Sequence, residues 1–247
     1  MRYFFFKIFL AFYLLSNLSL SADFQKGLDA ANSGDFVTAI KEWRPLAEQG
    51  NKLAQLYMGD IYNHRNGYGV VAQDYKEAFK WYLLSAEQGN AEAQFNVGNM
   101  YYKGEGVEEN YSEATKWTIF SAKQGYLIAQ YDLGWRYAHG KGVTENDLEA
   151  IKWYTLAANQ GDSDAQFNLG QMYRLGEGIK IDNKKAVKFY LIAANQGDVK
   201  SQFNLAEMYR LGLGVKQDKK EAIKWYRAAA EQGDENAIHN LRLMEKM

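Results

Sequence analysis

The chain has 247 residues, including 22 glycines, one proline and no cysteine, and its formal net charge is −1. The absence of cysteine excludes disulfides, thiol catalysis and metal sites with cysteine ligands, and the near-zero charge provides no basic footprint for nucleic acid. One proline favours long helices, but glycine destabilises a helix interior, so the 22 glycines must occupy special positions.

The first 22 residues differ in composition from the rest of the chain. Basic and aromatic residues precede an unbroken apolar run from Ile8 to Leu15, and small and polar residues follow up to Ala22. This pattern predicts a signal peptide over 1–22, cleaved after Ser21 or Ala22, because the run is shorter than the roughly 20 residues of a spanning helix. An uncleaved membrane anchor is the alternative. We expect an exported chain without a stable membrane span after cleavage, in the periplasm or secreted, with the periplasm favoured.

The remainder of the chain consists of one sequence unit that is repeated several times. A Gln-Gly pair recurs with its glycine at positions 50, 89, 125, 161, 197 and 233, and alanine and aromatic columns keep the same step. Such self-similarity indicates a repeat protein. The columns predict five repeats, over 51–89, 90–125, 126–161, 162–197 and 198–233. A shorter helix pair over 23–50 precedes them, and a capping helix over 234–247 follows.

Each unit reads as two helices with glycine turns between them. In the fourth unit Ala165, Leu169 and Met172 share one helical face, and Ala186 and Tyr190 share another. Most glycines stand between these helices. One column lies inside the first helix of the unit and predicts close helix–helix approach; it comprises Gly59, Gly98, Gly134 and Gly170. Aspartates after the Gln-Gly pair are expected to cap the next helix.

The repeat unit resembles that of a known family. The pattern A-Q-F-N-L-G-x-M-Y-x-x-G-x-G-V followed by A-x-K-W-Y-x-x-A-A-x-Q-G resembles the Sel-one-like repeat, a relative of the tetratricopeptide repeat. The resemblance covers all five units. It implies an all-α, right-handed α-solenoid of antiparallel helix pairs, in which the repeated Trp, Tyr and Ala form a continuous core. Relatives serve as adaptors, so the resemblance implies a protein or peptide partner.

Catalytic motifs are missing from the sequence. The three histidines, His64, His139 and His239, lack metal-binding spacing, and no G-x-S-x-G or S-x-x-K occurs. The G-x-G segments follow helices and read as turns, whereas a dinucleotide site needs a preceding strand. We therefore expect no catalytic residue, metal or cofactor.

The residues expected to face a groove vary between repeats where core columns stay fixed. In a solenoid of this kind the first helix of each pair lines the concave surface. The resulting peptide-groove candidates are Asn99, Tyr102, Trp135, Gln171, Arg174, Glu207 and Arg210. A polar ladder beside them consists of Asn96, Asp132, Asn168 and Asn204. Its side chains either bind a peptide backbone or tie one repeat to the next.

The sequence therefore favours a non-catalytic, exported interaction scaffold that binds a peptide or protein segment in its groove and is a monomer by itself. The alternative is a cell-wall enzyme or peptidoglycan-binding protein. It is suggested by the predicted export and by a β-lactamase label on some cysteine-rich relatives, and the motifs here do not support it.

Overall fold

A computed structural model describes residues 22–64 and 67–246. The predicted signal peptide, apart from Ala22, lies outside these residues. Within them the secondary structure is thirteen α-helices and one 3₁₀-helix, with no strand. The α-helices are α1 (22–32), α2 (Phe36–Glu48), α3 (Lys52–Asn63), α4 (Tyr75–Glu87), α5 (Ala91–Lys103), α6 (Tyr111–Lys123), α7 (Leu127–His139), α8 (Asp147–Asn159), α9 (Ser163–Leu175), α10 (Asn183–Asn195), α11 (Val199–Leu211), α12 (Lys219–Glu231) and α13 (Glu235–Lys246). The 3₁₀-helix spans Gly67–Gly69.

The chain divides into two compact units, unit 1 ending at Ser121 and unit 2 beginning at Ala122. In unit 1, α2 packs on α3, α3 on α4 and α4 on α5. In unit 2, each helix from α7 to α13 packs on the next. Helices that pack chiefly on their neighbours along the chain are the arrangement of an α-solenoid. The predicted all-α fold of stacked helix pairs is confirmed.

Local capping sets where the helices begin and end. The carboxylates of Asp162, Asp198 and Asp234 each accept a hydrogen bond from the backbone N–H group three residues later in the chain, at 2.7, 2.6 and 2.7 Å. These caps confirm the prediction, since each satisfies an N–H group that the helix itself leaves free. Gly197 takes φ of 93°, the left-handed conformation that ends a helix at low cost for glycine.

Glycines inside the first helix of a repeat permit the close approach that the sequence predicts. A Cβ on Gly59 would lie 2.4 Å from the ring of Tyr82, and one on Gly170 would lie 2.6 Å from the ring of Tyr190. In the N-terminal pair Gly27 meets Trp43 in the same way. A larger residue at these positions would therefore push the two helices of a pair apart.

The repeated alanine column is core, as predicted, and so is the tryptophan column except at Trp117, which is partly exposed. Alanines of the second helices are fully buried in all five repeats and in α2, and Trp81, Trp153 and Trp225 are 6–7% exposed. The indole N–H groups of Trp153 and Trp225 donate to Glu149 and Glu221, each at 3.2 Å. Trp153 and Trp225 thus bury their rings while their one polar group reaches a partner at the helix surface, whereas the indole N–H of Trp81 is buried without a partner among the described residues.

Two further findings concern individual helices. Pro45, where the sequence predicts a kink or a helix end, lies inside α2, which continues to Glu48. Among the described helices, none is both long enough and apolar enough to cross a membrane.

Candidate functional site

The groove candidates all lie on the first helices of the repeats and are partly exposed. In unit 1, α5 carries Asn99 and Tyr102; in unit 2, α7, α9 and α11 carry the others. The residues within unit 2 form three neighbouring groups, one per helix.

In the first repeat, Asp60 on α3 occupies the position that Asn99 has in the second repeat and Glu207 in the fifth. The hydroxyl of Tyr82 on α4 donates to Asp60 Oδ1 at 2.7 Å. Burial raises the pKa of Asp60 to about 6, opposed by the hydrogen bond from Tyr82 and assisted by the charge of Glu92. This carboxyl is therefore poised to exchange a proton near neutral pH, which an exposed aspartate is not. On α5, the ring of Tyr102 lies 5.2 Å from that of Tyr111.

In unit 2 the first group surrounds Trp135 on α7. Its ring stacks on His139 at 4.7 Å between ring centroids, and His139 Nδ1 lies 2.8 Å from the carbonyl oxygen of Trp135. One face of this aromatic is therefore covered by its own helix. The next residue, Arg136, is 1% exposed and pairs with Asp132 at 2.6 Å. It takes a position that Met172 and Met208 fill in later repeats.

The second group is built on Arg174 of α9. Its Nε donates to the hydroxyl of Tyr190 at 3.3 Å, and its Nη2 donates to Gln171 Oε1 at 3.1 Å. Both acceptors are uncharged. Burial raises the pKa of Tyr190, and the adjacent guanidinium opposes this rise. The tyrosine and the glutamine therefore orient the guanidinium without neutralising it.

The third group repeats this geometry one unit later, on α11, with a carboxylate added. Glu207 accepts two hydrogen bonds from Arg210, at 3.1 and 2.6 Å, and others from the Tyr226 hydroxyl and from Asn240. Burial alone would raise the pKa of Glu207, but Arg210, Tyr226 and Asn240 together hold it below its ordinary value. Conversely, burial and Glu207 raise the pKa of Tyr226 to about 12. Arg210 is thus neutralised by its own helix.

A cleft of about 410 Å³ lies against the second and third groups. Arg174 and Arg210 contribute its cations, Asn204 and Asn240 its amides, and Phe203 and Leu213 part of its apolar wall. Leu211 and Leu213 in this wall are 50% and 38% exposed. The cleft therefore combines charged groups with uncovered apolar surface.

Three of the four side chains of the polar ladder form hydrogen bonds within the protein. Asp132 binds Arg136 of its own helix, and the amide of Asn204 donates to the carbonyl of Lys200 at 2.8 Å. Asn168 hydrogen-bonds Tyr131 and so opposes the rise that burial causes in the pKa of Tyr131. The next position, Asn240, joins α13 to Glu207 and Tyr226. A role of the ladder in holding a peptide backbone stays a prediction; Asn96 lies partly buried on α5.

Buried glutamines are the polar residues that the sequence analysis missed. Five of them sit at one position of the first helices, and the side-chain N–H of each donates to an alanine carbonyl eight residues earlier: Gln55, Gln94, Gln130, Gln166 and Gln202. Within unit 2 the glutamines of the Gln-Gly pairs then donate to these amides; Gln196 reaches Gln166 at 2.8 Å. The signal was present, since both glutamine columns are constant in all five repeats. Their role is to join adjacent helix pairs, because a buried amide must find partners.

The G-x-G loops are packing elements in the structure. A Cβ on Gly178 would lie 2.3 Å from Asp147 Cβ, and one on Gly214 would lie 2.3 Å from the carbonyl oxygen of Asn183. The second glycine of the loop thus rests on the first turn of the second helix in the preceding repeat. Within the described residues, no group of three His, Asp or Glu side chains is arranged to hold a metal ion.

Comparison with known proteins gives a consistent set of matches. A family model described as the Sel1 repeat matches residues 52–90, 91–126, 127–162, 163–198 and 199–234. A protective antigen of uropathogenic Escherichia coli with an SLR fold is 34% identical, with a TM-score of 0.85 over 90% of this chain and 48% of the antigen. A Sel1 repeat protein from Oxalobacter formigenes is 34% identical, with a TM-score of 0.82 over 87% of this chain and 88% of that protein. The chain thus spans about half the length of the antigen, and no curated protein matches it.

Proposed function

The chain belongs to the Sel1 repeat family, and we propose that it is an exported, monomeric, non-catalytic scaffold that binds a peptide or protein segment on the first helices of its repeats. The family fold is commonly a scaffold for protein interactions. The predicted signal peptide supports export, as does the similarity to a protein described as a protective antigen.

One observation carries the binding proposal. On the first helices of unit 2, core positions such as that of Leu133, Leu169 and Leu205 keep their residue type from repeat to repeat, with Arg136 as an exception. One partly exposed position, in contrast, changes from Trp135 to Gln171 to Glu207. A scaffold needs a constant core to stack and a variable surface to recognise one partner. Trp and Arg, which dominate binding energy in interfaces, both occur on this surface.

The test is a crosslinking pull-down with the mature chain from its native cell envelope. Trp135→Ala combined with Arg174→Ala should abolish recovery of the partner, because both side chains contribute to the proposed surface. Leu156→Ala combined with Lys188→Ala is the matched control, since these exposed residues lie on second helices. Circular dichroism must show unchanged helicity in both variants. Full recovery with the first variant would contradict the proposal.

A further inference from the structure

Arg174 and Arg210 differ in one respect that bears on what the cleft binds. The two arginines occupy the same position in successive repeats, and so do Gln171 and Glu207, three residues before them. Arg210 forms an ion pair with Glu207. At the earlier repeat the partner is the amide of Gln171. The exchange of Glu for Gln keeps the geometry and removes the negative charge.

The guanidinium of Arg174 has hydrogen-bonding capacity to spare. Arginine has five N–H donors, and here two are used, one from Nε and one from Nη2. The Nη1 group and the second Nη2 hydrogen have no acceptor among residues 22–64 and 67–246. Glu177, whose charge acts on Tyr190, makes no ion pair with Arg174 in this part of the chain. The free edge of the fork has the geometry that binds both oxygens of a carboxylate.

The surroundings of Arg174 suit an acidic side chain within an apolar segment. Leu211 and Leu213 leave apolar surface uncovered in the wall of the same cleft. Glu207 does not repel an incoming carboxylate strongly, because its charge is neutralised by the ion pair with Arg210. Asn204 donates one of its amide hydrogens to the carbonyl of Lys200. The cleft thus offers one uncompensated cation, Arg174, together with uncovered apolar surface.

We propose that this cleft recognises an aspartate or glutamate side chain, flanked by apolar residues, in the segment that the scaffold binds, and that Arg174 receives the carboxylate. This assignment rests on the proposed function and names the chemistry of its partner. Gln171 is the residue that keeps Arg174 available, since a carboxylate at that position would occupy the fork as Glu207 occupies Arg210.

The test uses the mature chain and a display library of random twelve-residue peptides without free carboxyl termini. Selection on the native chain should enrich peptides with Asp or Glu between apolar residues. Enriched peptides remade with the acid changed to Asn or Gln should bind about 10- to 100-fold more weakly, as expected for loss of a charge-assisted pair.

Two reciprocal charge changes separate Arg174 from general electrostatics. Gln171→Glu should weaken binding of the acidic peptides by about tenfold or more although Arg174 remains, because the new carboxylate occupies its fork. Glu207→Gln should strengthen binding a few-fold, because it releases Arg210. Lys188→Gln changes an exposed residue on α10 and lowers the net charge by one, as Gln171→Glu does. It should leave binding unchanged.

The outcomes are distinguishable. Peptides selected without acidic enrichment would overturn this inference and leave the proposed scaffold function standing, whereas failure to select any peptide would count against both. Equal loss with Lys188→Gln would show that only net charge matters and would overturn it. Binding by remade peptides that lack the acid but have a free carboxyl terminus would reassign the cleft to chain ends. Circular dichroism of each variant checks that it is folded.

Discussion

Asp60 in unit 1 and Glu207 in unit 2 occupy the same position of the first and fifth repeats, and each accepts a hydrogen bond from the tyrosine of the following helix. Their ionisation differs in direction. Burial raises the pKa of Asp60 to about 6. The pKa of Glu207 is held below its ordinary value despite burial, because Arg210 and Asn240 also bind it.

The difference shows that the repeat determines where a side chain lies, whereas its surroundings determine its ionisation. Tyr82 and Tyr226 are equivalent donors, so they do not explain the contrast. Two other differences do explain it: Asp60 is the more deeply buried carboxyl, and Arg210 stands where the first repeat has Asn63. A buried carboxylate without a cation resists ionisation, and one with a bidentate arginine favours it. The same slot is therefore a proton-binding group in one unit and a fixed ion pair in the other.

The largest effect is expected for Asp60→Asn. Because the folded-state pKa of Asp60, about 6, exceeds its ordinary value of 3.8, the folded chain binds this proton more tightly than the unfolded chain. Asp60 therefore contributes stability at low pH that is lost as pH rises through 6. Above pH 7 the Asn variant should exceed the native chain in free energy of unfolding by up to about 3 kcal/mol.

Urea unfolding followed by circular dichroism at pH 4, 6 and 8 measures this difference. The gain should be absent at pH 4, where the native carboxyl is protonated in the folded chain. Glu113→Gln on α6 controls for loss of one negative charge at an exposed ion pair. A gain that is the same at all three pH values would contradict the assigned pKa.

An intermediate effect is expected from removing each tyrosine hydroxyl. Tyr82→Phe leaves the ionised Asp60 without its donor and should cost about 1–3 kcal/mol of unfolding free energy at pH 8. Tyr226→Phe should cost less, about 0.5–1 kcal/mol, because Glu207 keeps Arg210 and Asn240. The two variants serve as controls for each other, since both remove one oxygen from a buried ring. Equal costs in urea unfolding would mean that the two pairs are equivalent.

The smallest effect is expected for Glu207→Gln. Since the pKa of Glu207 is lowered in the folded chain, its contribution to stability is present above its unfolded pKa and is lost as pH falls through the folded value. The variant should be less stable by about 0.3–0.5 kcal/mol at pH 7, as for a partly exposed ion pair within one helix, and equal to the native chain at the acid end. Thermal unfolding at pH 7 and at pH 3 tests this sign, which is opposite to that of Asp60→Asn. A stabilised variant at pH 7 would overturn the contrast.

Much of the fold could be predicted because its causes are local or periodic. The aspartates at 162, 198 and 234 were recognisable as caps because a cap bonds a backbone group three residues ahead. Gly59 and Gly170 were recognisable as contact points because glycine within a helical stripe needs a packing reason. Pro45 does not end its helix, since α2 continues to Glu48.

The candidate site was predictable in position and much less so in chemistry. The sequence placed Gln171, Arg174, Glu207 and Arg210 on one face, but it did not show that Glu207 neutralises Arg210 while Arg174 stays uncompensated. Nor did the sequence assign the contacts of the buried glutamines, or those of the glutamines in the Gln-Gly pairs, which had marked only the repeat period. The Glu207–Arg210 pair joins residues three positions apart, but the other partners of Glu207 are remote, since Tyr226 lies 19 and Asn240 33 positions further along the chain. No local rule predicts those contacts.

The sequence by itself determined the repeat, the helices with their ends, and which columns are buried, because a 36-residue period, capping chemistry and apolar stripes are readable along one chain. Only the tertiary structure decided the partner of each polar side chain and therefore its charge. Ionisation depends on burial and on the nearest groups from neighbouring helices, and stacking brings those groups together. Asp60 and Glu207, equal in register and opposite in pKa shift, show that division directly.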